Sequence, residues 1–248
     1  MFVSRNIVNI LGIPIDAVTR NEAVEIMLEM LGTAEGKQFH VVTANSEMLV
    51  EAHRNERFKN VLKSSDLNIP DSAGVVLAAR FKGAKLPQRV TGVDTVKDVC
   101  SRISGEHPVF LLGAGEGVAE KAGEELVRQN PNLRIAGAFA GSPREEDSAG
   151  IIGRINSSGA RLLLVAYGAP LQDIWIHKHL SKLASVRVAI GVGGTLDFIS
   201  GSKKRAPKWM QSAGLEWSYR LVREPRRWRR IVNAVVVFPR LVVFDRSS

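Results

Sequence analysis

Apolar positions along this chain fall into two alternating patterns. Short continuous runs at residues 7–15, 38–42, 67–69, 109–112, 135–140, 162–165 and 186–192 stop at glycine, proline or a small polar residue. Such runs predict strands buried on both faces, with the first a strand and turn. Between them, apolar residues recur at helical spacing. Ala23, Ile26, Met27, Met30 and Leu31 follow the capping box Thr19-Arg20-Asn21-Glu22, and the spacing repeats through Met48–Ala52, Val75–Ala79, Val96–Ile103, Val118–Leu126 and residues 147–155. Strands alternating with helices, without an Asn-Gly hairpin signal, predict an α/β fold. It should be a mostly parallel, Rossmann-like sheet with helices on both faces.

This pattern fills residues 1–200, read as one α/β domain; residues 201–248 form a basic helical C-terminal appendage. Helices are predicted over 214–222 and 225–237, with Pro225 suited to a first turn. In the second, Arg227 and Arg230 share one face while Trp228, Ile231, Val232 and Val235 line another. A basic amphipathic helix anchored by an aromatic suits a membrane interface, and its apolar face suits docking on the body equally well.

The 248 residues, 45% of them hydrophobic, can bury a substantial core. Charge adds more once it is located. Twelve of the 34 basic residues but only three of the 25 acidic ones lie beyond residue 200, so the whole formal charge of +9 sits in the appendage. A neutral body with a basic tail implies local contact with phosphate, nucleic acid or an anionic membrane. The single cysteine, Cys100, excludes an internal disulfide and fits a reducing compartment. The opening residues are too polar and interrupted for a signal peptide. The apolar run at 231–244 is broken by Asn233, Pro239 and Arg240 and falls short of the ~20 residues a spanning helix needs.

Candidate chemistry collects where strands end. Asp71, after Pro70 and among small residues, could take a proton from an attacking hydroxyl, or could cap the next helix. Asp94 carries the same two readings, with the cap favoured. Thr43 and Asn45 could bind a sugar or close a turn. Gln172 and Asp173 could be a solvated helix start, Arg89 a surface charge, and Ser202-Lys203-Lys204-Arg205 an exposed run. The loop Gly113-Ala114-Gly115-Glu116-Gly117 could cradle a diphosphate, but its spacing is not the dinucleotide fingerprint and no acidic residue closes the next strand. The five histidines show no metal-ligand spacing and no Asp-x-Asp pair occurs, so any phosphate charge must be met by arginine and backbone dipoles.

Together these pieces resemble the WecG/TagA/CpsF bacterial glycosyltransferases. The resemblance rests on Thr43-Ala44-Asn45, Pro70-Asp71 with Gly74, Arg89-Val90-x-Gly92-x-Asp94, Gly168-Ala169-Pro170-x-Gln172 and Gly191-Val192-Gly193-Gly194-Thr195-x-Asp197-Phe198. It continues in Arg205-Ala206-Pro207, Gly214-Leu215-Glu216-Trp217 and Glu224-Pro225-x-Arg227-x-x-Arg230. The chain departs from the usual family pattern at Ser72, Leu171 and Asp173. The resemblance implies an inverting transfer of a sugar, N-acetylmannosamine or a relative, from a UDP donor to a saccharide on undecaprenyl diphosphate, with neither metal nor other cofactor. It places the catalytic base on Asp71, substrate-binding groups on Thr43, Asn45, Arg89, Gln172, Gly193 and Gly194, and diphosphate-binding arginines on Arg220, Arg227 and Arg230. The implied partners are the UDP-sugar, the lipid-linked acceptor, an anionic membrane surface and a further copy of the chain, rather than nucleic acid. The implied location is the cytoplasmic face of the plasma membrane, bound peripherally.

Overall fold

The computed structural model describes residues 5–34 and 36–245, and eight strands and thirteen α-helices run through those residues. The strands are β1 (Ile7–Ile10), β2 (Ile13–Asp16), β3 (Phe39–Ala44), β4 (Leu67–Pro70), β5 (Val109–Gly113), β6 (Ile135–Phe139), β7 (Leu162–Ala166) and β8 (Val188–Gly191). The helices of the body are α1 (Arg20–Leu31), α2 (Ser46–Arg54), α3 (Glu56–Ser64), α4 (Ala73–Phe81), α5 (Gly92–Arg102), α6 (Val118–Gln129), α7 (Glu145–Ser158), α8 (Leu171–His179) and α9 (Thr195–Ile199). The C-terminal arm carries α10 (Lys208–Ser212), α11 (Glu216–Arg223), α12 (Trp228–Val232) and α13 (Phe238–Phe244).

Strands β3 to β8 form one sheet in the order β4-β3-β8-β7-β5-β6, with every pairing parallel. Successive side chains of a strand point to opposite faces. Val41, Leu111, Leu164 and Ile190 therefore meet α1, α5, α6 and α9 on one side. Val42 meets α2, α3 and α4 on the other, while Leu112, Val165 and Ala189 meet α7 and α8 there. Burial on both faces is why these strands read as unbroken apolar runs. Side-chain caps set the helix starts: the Thr19–Glu22 box for α1, and Asn45, Asn55, Ser72 and Thr91 for α2, α3, α4 and α5.

Two expectations need correcting. Residues 7–15 hold the expected strand and turn but also a second strand: β1 and β2 are an antiparallel hairpin over a two-residue turn, Leu11 (φ 54°) and Gly12 (φ 80°). Two positive φ values mark the turn whose twist suits a two-residue hairpin, a turn usually announced by asparagine and glycine. Here leucine takes the first position, and its burial with Ile10, Ile13 and Ile15 offsets the cost of the left-handed backbone. The hairpin covers the β4 edge, where the Asn68 amide donates to Asp16 Oδ2 at 2.7 Å.

The second correction concerns the arm. Its second predicted helix does not stop at residue 237: a 3₁₀ turn (Pro225–Arg227), α12, a π turn (Asn233–Val237) and α13 follow one another directly. Pro239 lacks an amide proton and its ring crowds the preceding turn; a widened turn just before it lets the helix continue. The expected apolar face also divides. Ile231 is buried while Trp228, Val232 and Val235 are exposed, and Phe238 and Val242 are the residues that pack into the body's core. Among the described residues no helix is long and apolar enough to cross a membrane.

Candidate active site

Strands β4, β3, β8 and β7 are neighbours, so their carboxyl ends open side by side, where open α/β sheets bind ligands. The register sets Ala44 beside Pro70, and Gly191 beside both Val42 and Val165. Asp71 follows β4 directly, and its amide donates to the Ala44 carbonyl at 2.8 Å, extending the ladder by one residue.

The small polar residues at these ends bind one another and shape the floor. Thr43 Oγ1 donates to the Gly191 carbonyl at 2.9 Å, tying β3 to β8. Asn45 Oδ1 accepts from the Met48 amide and so caps α2. Gln172 Oε1 accepts from the Gly168 amide (3.1 Å) and the Gly193 amide (2.8 Å), joining the loops after β7 and β8. Gln172 and Asp173 are therefore not a solvated helix start: they are 2% and 0% exposed, packed so closely under Gly191 that any side chain there would collide with both. Leu171, between Pro170 and this pair, faces solvent.

The structure resolves both readings of the two aspartates. Helix α4 is capped by Ser72, whose Oγ accepts from the Val75 amide, so Asp71 is not the cap. Asp71 lies half-buried, with Oδ1 accepting from the Gly92 amide at 3.2 Å and Oδ2 without a protein partner among the described residues. Burial pushes its pKa up to about 6, against the opposing pull of Arg89 and Arg220 and with a smaller upward push from Glu216. A carboxyl poised there can exchange a proton near neutrality. Asp94, expected as a cap, is not one. Thr91 caps α5, and Asp94 accepts from Arg205 Nη1 at 2.7 Å. Arg205 is accordingly not part of an exposed run.

Arg89 is no free surface charge either. Its Nε donates to the Asp71 carbonyl at 2.9 Å and its Nη2 to Glu216 Oε2 at 2.7 Å. Glu216, the first residue of α11, also accepts from Arg220 Nη2 at 3.1 Å, and the Arg220 guanidinium lies 5.1 Å from the Phe198 ring centre. From α12, Arg230 Nε donates to Glu47 Oε2 at 2.6 Å. Arg227, beside them, is pushed below its ordinary pKa by burial and by the like charges of Arg230 and Arg220. Clustered guanidiniums of this kind favour an anion with several oxygens.

All ten residues expected in the site line one cleft: Asp71, Thr43, Asn45, Arg89, Gln172, Gly193, Gly194, Arg220, Arg227 and Arg230. The 113–117 loop does not line it. Gly113 (φ 101°) instead lets β5 run against the Ala166 backbone, which leaves no room for a Cβ. Glu47, Phe198, Arg205 and Glu216, none of them expected among the site residues, share the cleft. Only the motif positions of Phe198, Arg205 and Glu216 hinted at them. Among the described residues no group of three or more His, Cys, Asp or Glu side chains could hold a metal ion.

Sequence comparison gives the same picture. A family model described as "Glycosyl transferase WecG/TagA/CpsF family" matches residues 8–248. A protein of Bacillus spizizenii (strain W23) is 34% identical over 222 residues, 89% of this chain and 85% of its own. One of Bacillus subtilis (strain 168) is 34% identical over 196 residues, 78% of this chain and 75% of its own. One of Staphylococcus aureus (strain MRSA252) is 30% identical over 226 residues, 90% and 86%. Each of the three is named N-acetylglucosaminyldiphosphoundecaprenol N-acetyl-beta-D-mannosaminyltransferase.

Proposed function

The chain belongs to the WecG/TagA/CpsF family of glycosyltransferases, and from that premise we propose that it transfers N-acetylmannosamine from a UDP donor to N-acetylglucosamine carried on undecaprenyl diphosphate. The observation that carries this reading is the pairing, in one cleft, of a raised-pKa carboxylate at a strand tip with arginines from a separate arm.

In the proposed reaction Asp71 takes the proton of an acceptor hydroxyl. The hydroxyl oxygen forms a bond to the anomeric carbon from the side opposite UDP. The bond from that carbon to the diphosphate oxygen breaks, UDP leaves with the electron pair, and the anomeric configuration inverts. Arg220, Arg227 and Arg230 stabilise the charge that develops on the departing diphosphate, the task a metal ion performs in other transferases. Thr43, Asn45, Gln172, Gly193 and Gly194 shape the sugar pocket, Thr43 and Gln172 by holding the strand ends in place.

A second, more apolar groove shares Asp71, Arg89, Glu216, Arg220 and Arg227 with the cleft and runs between Leu77, Trp217, Ile231 and Val235. In this reading it receives the acceptor's diphosphate and the start of its lipid chain. Trp209, Val222, Trp228 and Phe244 are exposed on the arm, as are Arg226 and Arg229, a combination suited to an anionic membrane surface. These features support a peripheral position on the cytoplasmic face of the membrane.

The test is mass analysis of products from a panel of UDP-sugars with an N-acetylglucosaminyl lipid diphosphate. The expected product is the acceptor extended by one N-acetylhexosamine, with UDP released. No transfer to the lipid-linked acceptor from any UDP-sugar would overturn the proposal, and equal transfer to a free saccharide would overturn its lipid part.

A further inference from the structure

The arginines of the cleft face carboxylates of the protein itself, and one of these carboxylates differs from the rest. Glu47 serves Arg230 at the rim, where both side chains are partly exposed. Glu216 is 7% exposed and serves two guanidiniums, one from each region: Oε2 accepts from Arg89 of the body and Oε1 from Arg220 of its own helix. Arg89 is in turn hydrogen-bonded to the backbone carbonyl of Asp71. An unbroken chain of charge-assisted bonds thus runs from the main chain of Asp71 through Arg89 and Glu216 to Arg220, which rests against Phe198. Charge-assisted bonds are the stronger, more directional kind.

We propose that Glu216 is a positioning residue that sets the separation between the Asp71 carboxyl and Arg220 and latches the arm onto the body as a completed site. Without its charge, Arg89 and Arg220 would share a confined space with no anion between them and would repel each other. Displacements of about 1 Å from such a loss cost on the order of 10²-fold in rate where geometry must be held.

Its charge also reaches Asp71. The charged groups around Asp71 are Arg89 after β4, Glu216 and Arg220 on α11, and, around the same cleft, Glu47, Arg205, Arg227 and Arg230. Of the acidic groups, Glu216 is the one whose charge pushes the Asp71 pKa upward. Removing its charge therefore moves the Asp71 titration to lower pH.

The experiment compares Glu216→Gln and Glu216→Asp in the full chain with the unaltered protein. Turnover is measured against pH, and the Asp71 carboxyl is titrated by ¹³C NMR, identified by its loss in Asp71→Asn. Glu216→Gln should lose roughly 10²-fold in kcat and shift both the acid limb and the Asp71 titration downward. Glu216→Asp, which keeps the charge but is too short to hold both guanidiniums, should lose about tenfold and leave the titration in place. Wild-type kcat in both variants, or an Asp71 titration that stays or rises in Glu216→Gln, would overturn the proposal. If Glu216→Gln unfolds, wild-type kcat in Glu216→Asp overturns it alone. The kinetic part rests on the glycosyl-transfer reading and the titration does not. Failure of the unaltered protein to turn over counts against that reading, whereas normal turnover with an unmoved titration counts against Glu216.

Discussion

The body and the arm of this protein are held by different forces. The body buries β3, β4, β5, β7 and β8 completely and closes the starts of α1 to α5 with side-chain caps. In the arm, α11 buries only Glu216 and α12 only Ile231. The arm meets the body through ion pairs, Arg89–Glu216, Glu47–Arg230 and Lys82–Asp245, and through the apolar anchors Phe238 and Val242. A buried apolar side chain contributes about 1.5–3 kcal/mol, while a partly exposed ion pair such as Glu47–Arg230 contributes about 0–1 kcal/mol. Docking therefore rests chiefly on the anchors, with the more buried Arg89–Glu216 pair as a latch, and the ion pairs decide where the arm's cations point. Asp71 follows a fully buried strand, whereas the side chains of Arg220, Arg227 and Arg230 stay partly exposed.

The largest expected effect tests the body's side of this division. Asp71→Asn should lower turnover by roughly 10²–10⁴-fold while UDP affinity, measured by calorimetry, stays near wild type. A matching loss of UDP binding would move Asp71 from the reaction to the grip. Next, Phe238→Ala and Phe58→Ala remove one fully buried ring each, from the arm and the body. Both should cost about 3–5 kcal/mol in denaturant melts. If the arm docks as described, only Phe238→Ala should also lose UDP affinity in the protein that remains folded.

Arg227→Ala should weaken UDP binding by about 1.5–3 kcal/mol, the range for a hydrogen bond to a charged group. An unchanged affinity would detach the arm from the diphosphate. The pH dependence follows from Asp71. The base works when ionised, so kcat should fall about tenfold per unit below about pH 6. For stability the sign is opposite to that of a salt-bridged acid. A raised folded pKa means the native state holds the proton longer than the unfolded chain, so stability is lost as pH rises from about 4 to about 6. Asp71→Asn should accordingly melt at higher temperature than the unaltered protein above pH 6. The smallest effect is Glu47→Gln, which removes one half-exposed ion pair and should cost at most about 1 kcal/mol.

Much of the fold was legible because burial on both faces leaves a local trace. Residues 109–112, 162–165 and 186–192 read as strands without any knowledge of their neighbours, and Thr19–Glu22 marked a helix start that the structure keeps. The β1–β2 hairpin was not legible, since Leu11 occupies a position whose usual residue is a signal and its stabilisation comes from distant core contacts. The candidate site was legible as a set of strand-end residues and as a charge imbalance in the arm. Its wiring was not. Asp71 and Asp94 each fit a helix cap, the cap being favoured for Asp94, but Ser72 and Thr91 hold those places.

By itself the sequence determined the alternation of strands and helices, the concentration of positive charge beyond residue 200, and the presence of an acid at the tip of β4. These are properties of neighbouring residues, and periodicity and composition register them directly. Tertiary structure alone decided which carboxylate holds which arginine. Arg89 and Glu216 lie 127 positions apart, and Arg230 and Glu47 183 apart. Coulomb attraction depends on distance in space, and only the parallel order of β4, β3, β8 and β7, with the arm anchored by Phe238, brings those charges within reach.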